Sequence, residues 1–116
     1  MKVYNGIMEI TYEDFKKIDV RICTIVAAEK IPDTDKLMKC TIDMGPELGE
    51  RTVVSGIAEW KSVEDLVGKQ CLYVVNLAPR ILRGVESQGM LFAASDDAGV
   101  VLLHPERVVA SGTPLH

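Results

Sequence analysis

The stretch Ile-Asp-Val-Arg-Ile-Cys-Thr-Ile-Val-Ala-Ala-Glu-Lys-Ile, residues 18–31, is rich in β-branched side chains and is long for a single strand. Its apolar residues first occupy even-numbered positions, as far as Ile22, and then change parity to the odd-numbered positions Cys23 and Ile25. Because successive side chains of a strand point to opposite faces, this change predicts a β-bulge or a sharp bend inside the strand. A strand bent in this way serves both halves of a small barrel, which is the first indication of the fold.

The segments that follow predict further strands. Residues 38–44 alternate strictly between an apolar face and a polar face. Shorter strands are predicted over residues 51–56, 70–75, 89–95 and 100–103. The turn Asp96-Asp-Ala-Gly predicts that the last two of these strands pair as a hairpin.

Helical signals are few. Ser62-Val-Glu-Asp-Leu-Val-Gly predicts one capped turn of helix that ends at Gly68, and Thr11 followed by Asp14 predicts a second short helix near the N-terminus. We therefore expect an all-β fold, the five-stranded Greek-key barrel of oligonucleotide/oligosaccharide-binding (OB) proteins, with a short helix between strands 3 and 4. A sixth strand and a C-terminal turn over residues 104–109 would be additions to it.

Length and composition restrict the possible classes of protein. With 116 residues and 12.7 kDa we expect one domain over residues 1–116, and 47% hydrophobic with 26% charged residues is typical of a folded chain. The net charge of −4 and the pI near 5.1 argue against indiscriminate binding to nucleic acid or membrane surfaces. The apolar runs are far shorter than the roughly 20 residues that span a bilayer, and residues 1–10 do not resemble a signal peptide.

Motifs of catalysis and metal binding are missing from the sequence. Cys23, Cys40 and Cys71 are widely spaced without a C-x-x-C pair, so we expect neither a disulfide framework nor a zinc site, and a reducing, cytoplasmic environment. There is no G-x-S-x-G elbow, no phosphate-binding P-loop and no H-E-x-x-H. We expect a binding module without cofactor or metal rather than an enzyme.

Residues 76–90 form the most informative connection. About thirteen residues join two predicted strands, which is long for so small a domain, and long loops are often functional. Arg80, Arg83 and Glu86 give this segment a net charge of +1, which leaves −5 for the rest of the chain. The local charge therefore has the opposite sign to that of the whole protein.

Four stretches together resemble the tRNA-binding barrel domain family: Asn-Leu-Ala-Pro-Arg-Ile-Leu-Arg-Gly-Val-Glu-Ser-Gln-Gly-Met-Leu-Phe-Ala-Ala at 76–94, Ser-Gly-Ile at 55–57, Glu-Asp-Leu-Val-Gly-Lys at 64–69, and residues 19–45. That family includes stand-alone dimeric tRNA-binding proteins, C-terminal domains or beta subunits of methionyl-tRNA synthetases, and EMAP II-type proteins. The resemblance extends over about residues 15–113.

The resemblance implies binding of the tRNA elbow by shape, no catalysis, a homodimer formed partly by the C-terminal additions, and a methionyl-tRNA synthetase catalytic subunit as a partner. The positions that match the family's motif, or lie near the same face, are Asn76, Arg80, Arg83, Ser87, Met90, Lys36, Arg51 and Ser55. Family members usually carry lysine at the positions of Ala78 and Ile81, so this loop has fewer positive charges than the family pattern.

Two roles stay open for most of these residues. Arg80 and Arg83 are interpreted as phosphate ligands, or as ordinary surface arginines. Ser87 either donates to RNA or forms a turn, Met90 either contacts a base or belongs to the core, and Asn76 either orients the loop or touches RNA.

No aromatic residue lies within 76–90, so recognition of folded RNA fits better than base stacking on aromatic rings. The alternative function is a protein-interaction module, similar to an export chaperone or a docking domain of a synthetase assembly. The acidic net charge and the missing lysines favour that alternative.

Overall fold

The computed structural model describes residues 3–116, with side chains from Asn5 onward. Its elements, in chain order, are β1 (Val3–Tyr4), β2 (Ile7–Met8), α1 (Tyr12–Lys16), β3 (Val20–Lys30), β4 (Met38–Asp43), β5 (Glu50–Ser55), α2 (Val63–Leu66), β6 (Gln70–Val74), β7 (Arg80–Leu82), β8 (Val85–Ser87), β9 (Met90–Leu91), β10 (Ala93–Asp96), β11 (Gly99–Leu102) and β12 (Thr113–Pro114). Within this described part, no helix has the length and apolar character needed to cross a membrane.

The main sheet has the order β5-β4-β3-β6-β9, and β12 also pairs with β3. All of these pairings are antiparallel, and α2 lies in sequence between β5 and β6. The free edge of β5 is bonded by the end of β8: Val54 N donates to Ser87 Oγ at 2.9 Å and Gln88 N donates to Thr52 O at 2.8 Å. The sheet is therefore nearly closed, and the predicted OB-like barrel with a helix between its third and fourth strands is confirmed.

Strand β3 contains the predicted bulge, but the bulge lies three to four residues beyond the change of parity at Ile22 and Cys23. Its residues Val20–Thr24 pair with β6, whereas residues 24–30 pair with β4, with a register shift between Ile25 and Ala27. Val26, the extra residue, is exposed. The bulge lets one strand join both halves of the barrel.

The alternation of β4 fills the barrel. Met38, Cys40, Ile42 and Met44 are at most 2% exposed, and they pack with Tyr73 of β6. All three cysteines are buried in this core, where burial raises the pKa of each thiol to about 11. The thiols stay protonated at neutral pH and act as small apolar side chains.

Both predicted helix starts are capped. Ser62 Oγ accepts from Asp65 N at 3.2 Å while Asp65 Oδ2 accepts from Ser62 N at 2.9 Å, a reciprocal capping box at α2. Thr11 Oγ1 accepts from Asp14 N at 3.1 Å at the start of α1. Side-chain caps of this kind allow helices as short as these to form.

Three expectations about the strands were incomplete. The predicted strand 89–95 is two strands, because β9 pairs with β6 whereas β10 leaves the barrel to pair with β11. The predicted loop 76–90 contains a hairpin, β7–β8, whose turn at Arg83 and Gly84 has φ angles of +51° and +79°. A further hairpin, β1–β2, turns at Asn5 and Gly6.

The C-terminal segment lies along the barrel. The expected turn over residues 104–109 contains no regular element, and β12 follows it instead. Gln70 holds this segment, since Nε2 donates to Val109 O at 2.7 Å and Oε1 accepts from Val109 N at 3.1 Å. The backbones at Gly45 and Gly112 are in close contact, since a Cβ on Gly112 would lie 2.6 Å from Met44 O. Both glycines also have φ angles near +90°, the region that favours glycine.

Candidate nucleic-acid interface

The hairpin β7–β8 projects from the barrel, and Asn76 fixes its root. Asn76 Oδ1 accepts from Asp19 N at 2.9 Å, and Asn76 Nδ2 donates to Lys17 O at 2.6 Å. The amide thus joins the end of β6 to the segment between α1 and β3. Of its two predicted roles, this geometry corresponds to orienting the loop.

Ser87 fixes the other end of the hairpin. Its side chain is only 5% exposed, and its Oγ both accepts from Val54 N at 2.9 Å and lies 3.5 Å from Gly89 O, to which it donates. Both hydrogen-bonding functions of the hydroxyl are directed at the backbone. Ser87 therefore ties the hairpin to β5, and it presents no free hydroxyl to a ligand.

Arg80 and Arg83 lie on the exposed surface of the hairpin. Arg80 is opposite Ser87 in the β7–β8 register, whereas Arg83 occupies the turn. In the part of the chain that the structure describes, neither arginine forms an ion pair. Two guanidinium groups on a short, anchored ribbon are well placed to bind phosphate oxygens.

A first cleft, called here the apolar cleft, opens between β5, β9 and the hairpin. Its volume is about 280 Å³, and four of the predicted residues line it: Ser55, Arg80, Ser87 and Met90. Met90 is 45% exposed, so its thioether is accessible from outside. The other lining residues include Gly56, Leu77 and Leu91, which the sequence did not single out.

A second cleft, the arginine cleft, lies on the other side of Leu77 and Ala78, which line both clefts. Its volume is about 460 Å³, and its lining includes Arg51 and Asn76. Arg51 is half-buried, and its Nη1 donates to Val75 O at 3.0 Å. This bond holds the guanidinium at the base of the cleft.

The charge of the arginine cleft is set partly by Asp19. Both carboxylate oxygens of Asp19 accept from Arg21, at 3.1 and 3.0 Å, and Arg21 also pairs with Glu47 at 3.2 Å. The hydrogen bond with Asp19 is the main reason that the pKa of Arg21 is raised above its ordinary value. Asp19 is thereby ion-paired with Arg21 rather than with Arg51, although Arg21 is shared with Glu47.

The structure brings together most of the predicted residues. Arg80, Ser55, Ser87 and Met90 share the apolar cleft, while Arg51 and Asn76 share the arginine cleft. Arg83 stands at the turn of the hairpin. Lys36 lines neither cleft; it is exposed, and its carbonyl accepts from Ala58 N at 2.9 Å.

Gly89 is required by packing at this site. Its φ angle is +150°, and a Cβ there would lie 3.0 Å from Val74 O. The close approach is thus between two parts of the chain itself. Among the described residues, no group of three His, Cys, Asp or Glu side chains is placed to hold a metal ion.

Comparison with known proteins places this geometry in context. The family described as "Putative tRNA binding domain" matches residues 20–114, from the start of β3 to the end of β12. The methionine–tRNA ligases of Porphyromonas gingivalis and Deinococcus radiodurans are 46% and 50% identical over 106 and 105 residues. Each alignment covers 90% of this chain, which spans only 15% of the length of these curated relatives.

Solved structures share this fold over most of the chain. A MetRS related protein from Pyrococcus horikoshii has a TM-score of 0.85 and 40% identity, covering 94% of this chain and 100% of that one. The chaperone CsaA of Bacillus anthracis has a TM-score of 0.84 and 32% identity, with 94% and 100% covered. The match over nearly the whole barrel and its hairpin means that this chain belongs to the tRNA-binding domain family.

Proposed function

We propose that this chain is a non-catalytic, structure-specific tRNA-binding module. The observation that carries the proposal is the placement of Arg80 and Arg51 in two clefts that share Leu77 and Ala78, with Arg83 at the turn of the same hairpin as Arg80, on a chain whose net charge is −4. The family match and the identity with methionine–tRNA ligases support the choice of tRNA as the ligand. Phosphate contacts from a rigid hairpin would fix the orientation of a folded RNA without reading its sequence.

The module would act alone or as the auxiliary subunit of a methionyl-tRNA synthetase in the cytoplasm. A second contact to the same tRNA raises the effective concentration of that tRNA at the catalytic subunit, which needs no new catalytic group. The protonated core thiols fit a reducing compartment. The catalysis itself would reside in the partner.

We also propose that the protein is a homodimer. Apolar side chains are exposed in a cluster that runs from β2 through α1: Ile7, Met8, Ile10, Tyr12 and Phe15 are each at least 50% exposed. Val108, in the C-terminal segment, is 82% exposed. Val101, Leu103 and Leu115 are also 38–44% exposed, whereas Val100 and Leu102 pack against the core.

Sedimentation at micromolar concentration tests the dimer. We expect a species of twice the 12.7 kDa chain mass, and Tyr12→Glu together with Phe15→Glu should dissociate it, because charges are strongly disfavoured inside an interface. A 12.7 kDa species of the unmodified chain at that concentration contradicts the dimer.

Salt-dependent binding tests the RNA site. Replacing Arg80→Ala and Arg83→Ala should weaken binding to many tRNAs alike, and should lower the slope of log K against log[salt] by about 0.7–0.9 for each phosphate that is no longer neutralised. The matched control is Lys30→Ala with Lys69→Ala, which removes the same charge from two exposed residues outside both clefts. If both double variants bind tRNA equally, the hairpin is not the site.

A protein-interaction module remains the second candidate. The observation that favours it is the likeness to the CsaA chaperone, together with the exposed apolar lining beside Leu77 and Met90. A chaperone role requires that the purified protein suppress aggregation of an unfolded polypeptide and that tRNA fail to compete. Binding of tRNA with no such suppression decides for the first function.

A further inference from the structure

The apolar cleft and the arginine cleft are adjacent, and this arrangement matches the two halves of a nucleotide. Leu77 and Ala78 form the ridge between them, and Leu77 is 46% exposed. One side of the ridge is apolar, and the other holds a half-buried guanidinium, that of Arg51. A ligand that reaches across the ridge therefore needs an apolar part and an anionic part close together.

The apolar cleft is small. Its volume of about 280 Å³ is close to the lower limit of ligand-pocket volumes, which is roughly 300 Å³. Gly56 and Gly89 contribute walls without side chains, while Leu77, Met90 and Leu91 supply apolar surface. The apolar cleft therefore suits a flat group and leaves little room for a folded stretch of polypeptide.

The polar groups at the rim favour a nucleobase over an apolar amino-acid side chain. Arg80 lines the cleft and forms no ion pair with the described residues, and no acidic residue lines it. A guanidinium plane can stack on a base or donate to its edge. Ser55, half-buried in the same cleft, supplies a further hydroxyl.

Arg51 is suited to the phosphate. One of its N–H groups is used by Val75 O, and the guanidinium carries five N–H donors in all. Asp19, the acidic residue of the arginine cleft, has both oxygens bonded to Arg21. Arg51 thus lines a cleft whose one carboxylate is already bonded to another guanidinium, and it keeps donors that Val75 O does not use.

We propose that the two clefts together hold one unpaired nucleotide of the bound RNA, with its base in the apolar cleft and its phosphate beside Arg51. The inference rests on the proposed tRNA binding and adds to it a base-sized contact, which shape recognition by phosphate contacts alone does not require. Unpaired bases can be turned out of a folded RNA in this way. Insertion here would depend on aliphatic and guanidinium surfaces, because no aromatic ring lines the cleft.

Gly56→Leu tests the base contact without changing any charge. A Cβ at Gly56 meets no atom within 4 Å, and its φ angle lies outside the left-handed region, so a larger side chain is tolerated there by the backbone and adds bulk to a residue that lines the cleft. We expect tRNA affinity to fall about tenfold, with the slope of log K against log[salt] unchanged. Ala98→Leu, which adds the same bulk to an exposed turn outside the clefts, is the control and should bind like the unmodified protein.

The outcomes separate the two proposals. If Gly56→Leu binds tRNA as well as the unmodified protein while the Arg80, Arg83 double variant does not, the tRNA site stands and the base contact is overturned. If the unmodified protein binds no tRNA, the proposed function itself fails.

A second measurement needs no tRNA. With methyl-13C methionine, adenosine 5′-monophosphate should shift the Met90 methyl signal, and inorganic phosphate should not, since only the base reaches the apolar cleft. The signal of Met38, buried in the core, serves as the internal control. A Met90 signal that is moved by a carboxymethylated unfolded protein and not by the nucleotide would assign the cleft to polypeptide and overturn the inference.

Discussion

Removal of the Ser87 hydroxyl separates a structural role from an RNA-binding role. In Ser87→Ala the Val54 N–H, buried in β5, loses its acceptor at 2.9 Å, and the weaker bond to Gly89 O at 3.5 Å is removed as well. A buried donor without a partner destabilises a protein by about 1–3 kcal/mol. The second bond is long and adds little, so we expect a loss of about 2 kcal/mol in the free energy of unfolding.

Urea unfolding followed by far-UV circular dichroism measures this loss. With an m-value of about 2 kcal/mol/M, the midpoint should move down by about 1 M urea. Protein concentration must be the same for each variant, because a dimer is more stable at higher concentration. Ser95→Ala, which removes an exposed hydroxyl in β10, is the matched control and should unfold like the unmodified chain.

One outcome for Ser87→Ala would contradict a structural role of the hydroxyl. An unchanged midpoint with weaker tRNA binding would mean that the Ser87 hydroxyl contacts RNA and that its bond to Val54 contributes nothing to the barrel. Any fall in tRNA affinity should instead follow from a looser hairpin, and it should be reversed by conditions that stabilise the fold.

Two further predictions concern the core and the C-terminal segment. Gly112→Ala should destabilise the fold by about 2 kcal/mol or more, measured as a lower midpoint of thermal unfolding, because its Cβ would approach Met44 O and its φ is +90°. An unchanged midpoint would mean that the segments around Gly45 and Gly112 can move apart without loss of stability. Burial raises the pKa of Cys23, Cys40 and Cys71 from 9.0 to about 11. As the pH rises, these thiols therefore lose their protons at a higher pH in the folded state than in the unfolded state. Their contribution to the free energy of unfolding should be complete below pH 9 and should decline between about pH 9 and 11, and the resistance of the thiols to alkylation should decline with it. A free energy of unfolding that stays constant across that interval contradicts the prediction.

The parts of the fold that were predictable are those determined locally. The parity change before Cys23 indicates a bulge in β3, which lies slightly further along at Ile25–Ala27, and the alternation from Met38 marks the strand that fills the barrel. The hairpin at 80–87 was missed because Arg83 takes a positive φ that patterns usually assign to Asn, Asp or Gly. The β1–β2 hairpin was not predicted either, although Asn5–Gly6 is a strong local signal for such a turn.

The site depends on contacts between distant segments, which a single sequence does not display. Gly56 and Arg80 line one cleft only because the end of β8 bonds to β5 and β9 bonds to β6. The burial of Ser87 follows from the same closure. The sequence made both Ser87 and Arg80 candidates for RNA contact, and the tertiary structure separates them.

The pairing of β12 with β3 has a consequence for how the protein is made. Thr113 pairs with Ile22, so the first strand of the barrel meets one of the last segments of this chain. Contacts so far apart in sequence slow folding, because a long loop must close before they form. During synthesis the nascent chain can assemble the antiparallel pairs β3–β4–β5 early and then add β6, but the β12 side of β3 at Arg21 and Ile22 stays open until residue 114 has left the ribosome. The exposed interval is when a chaperone would be most useful to this domain, and a stalled or truncated chain would keep that edge available for aggregation.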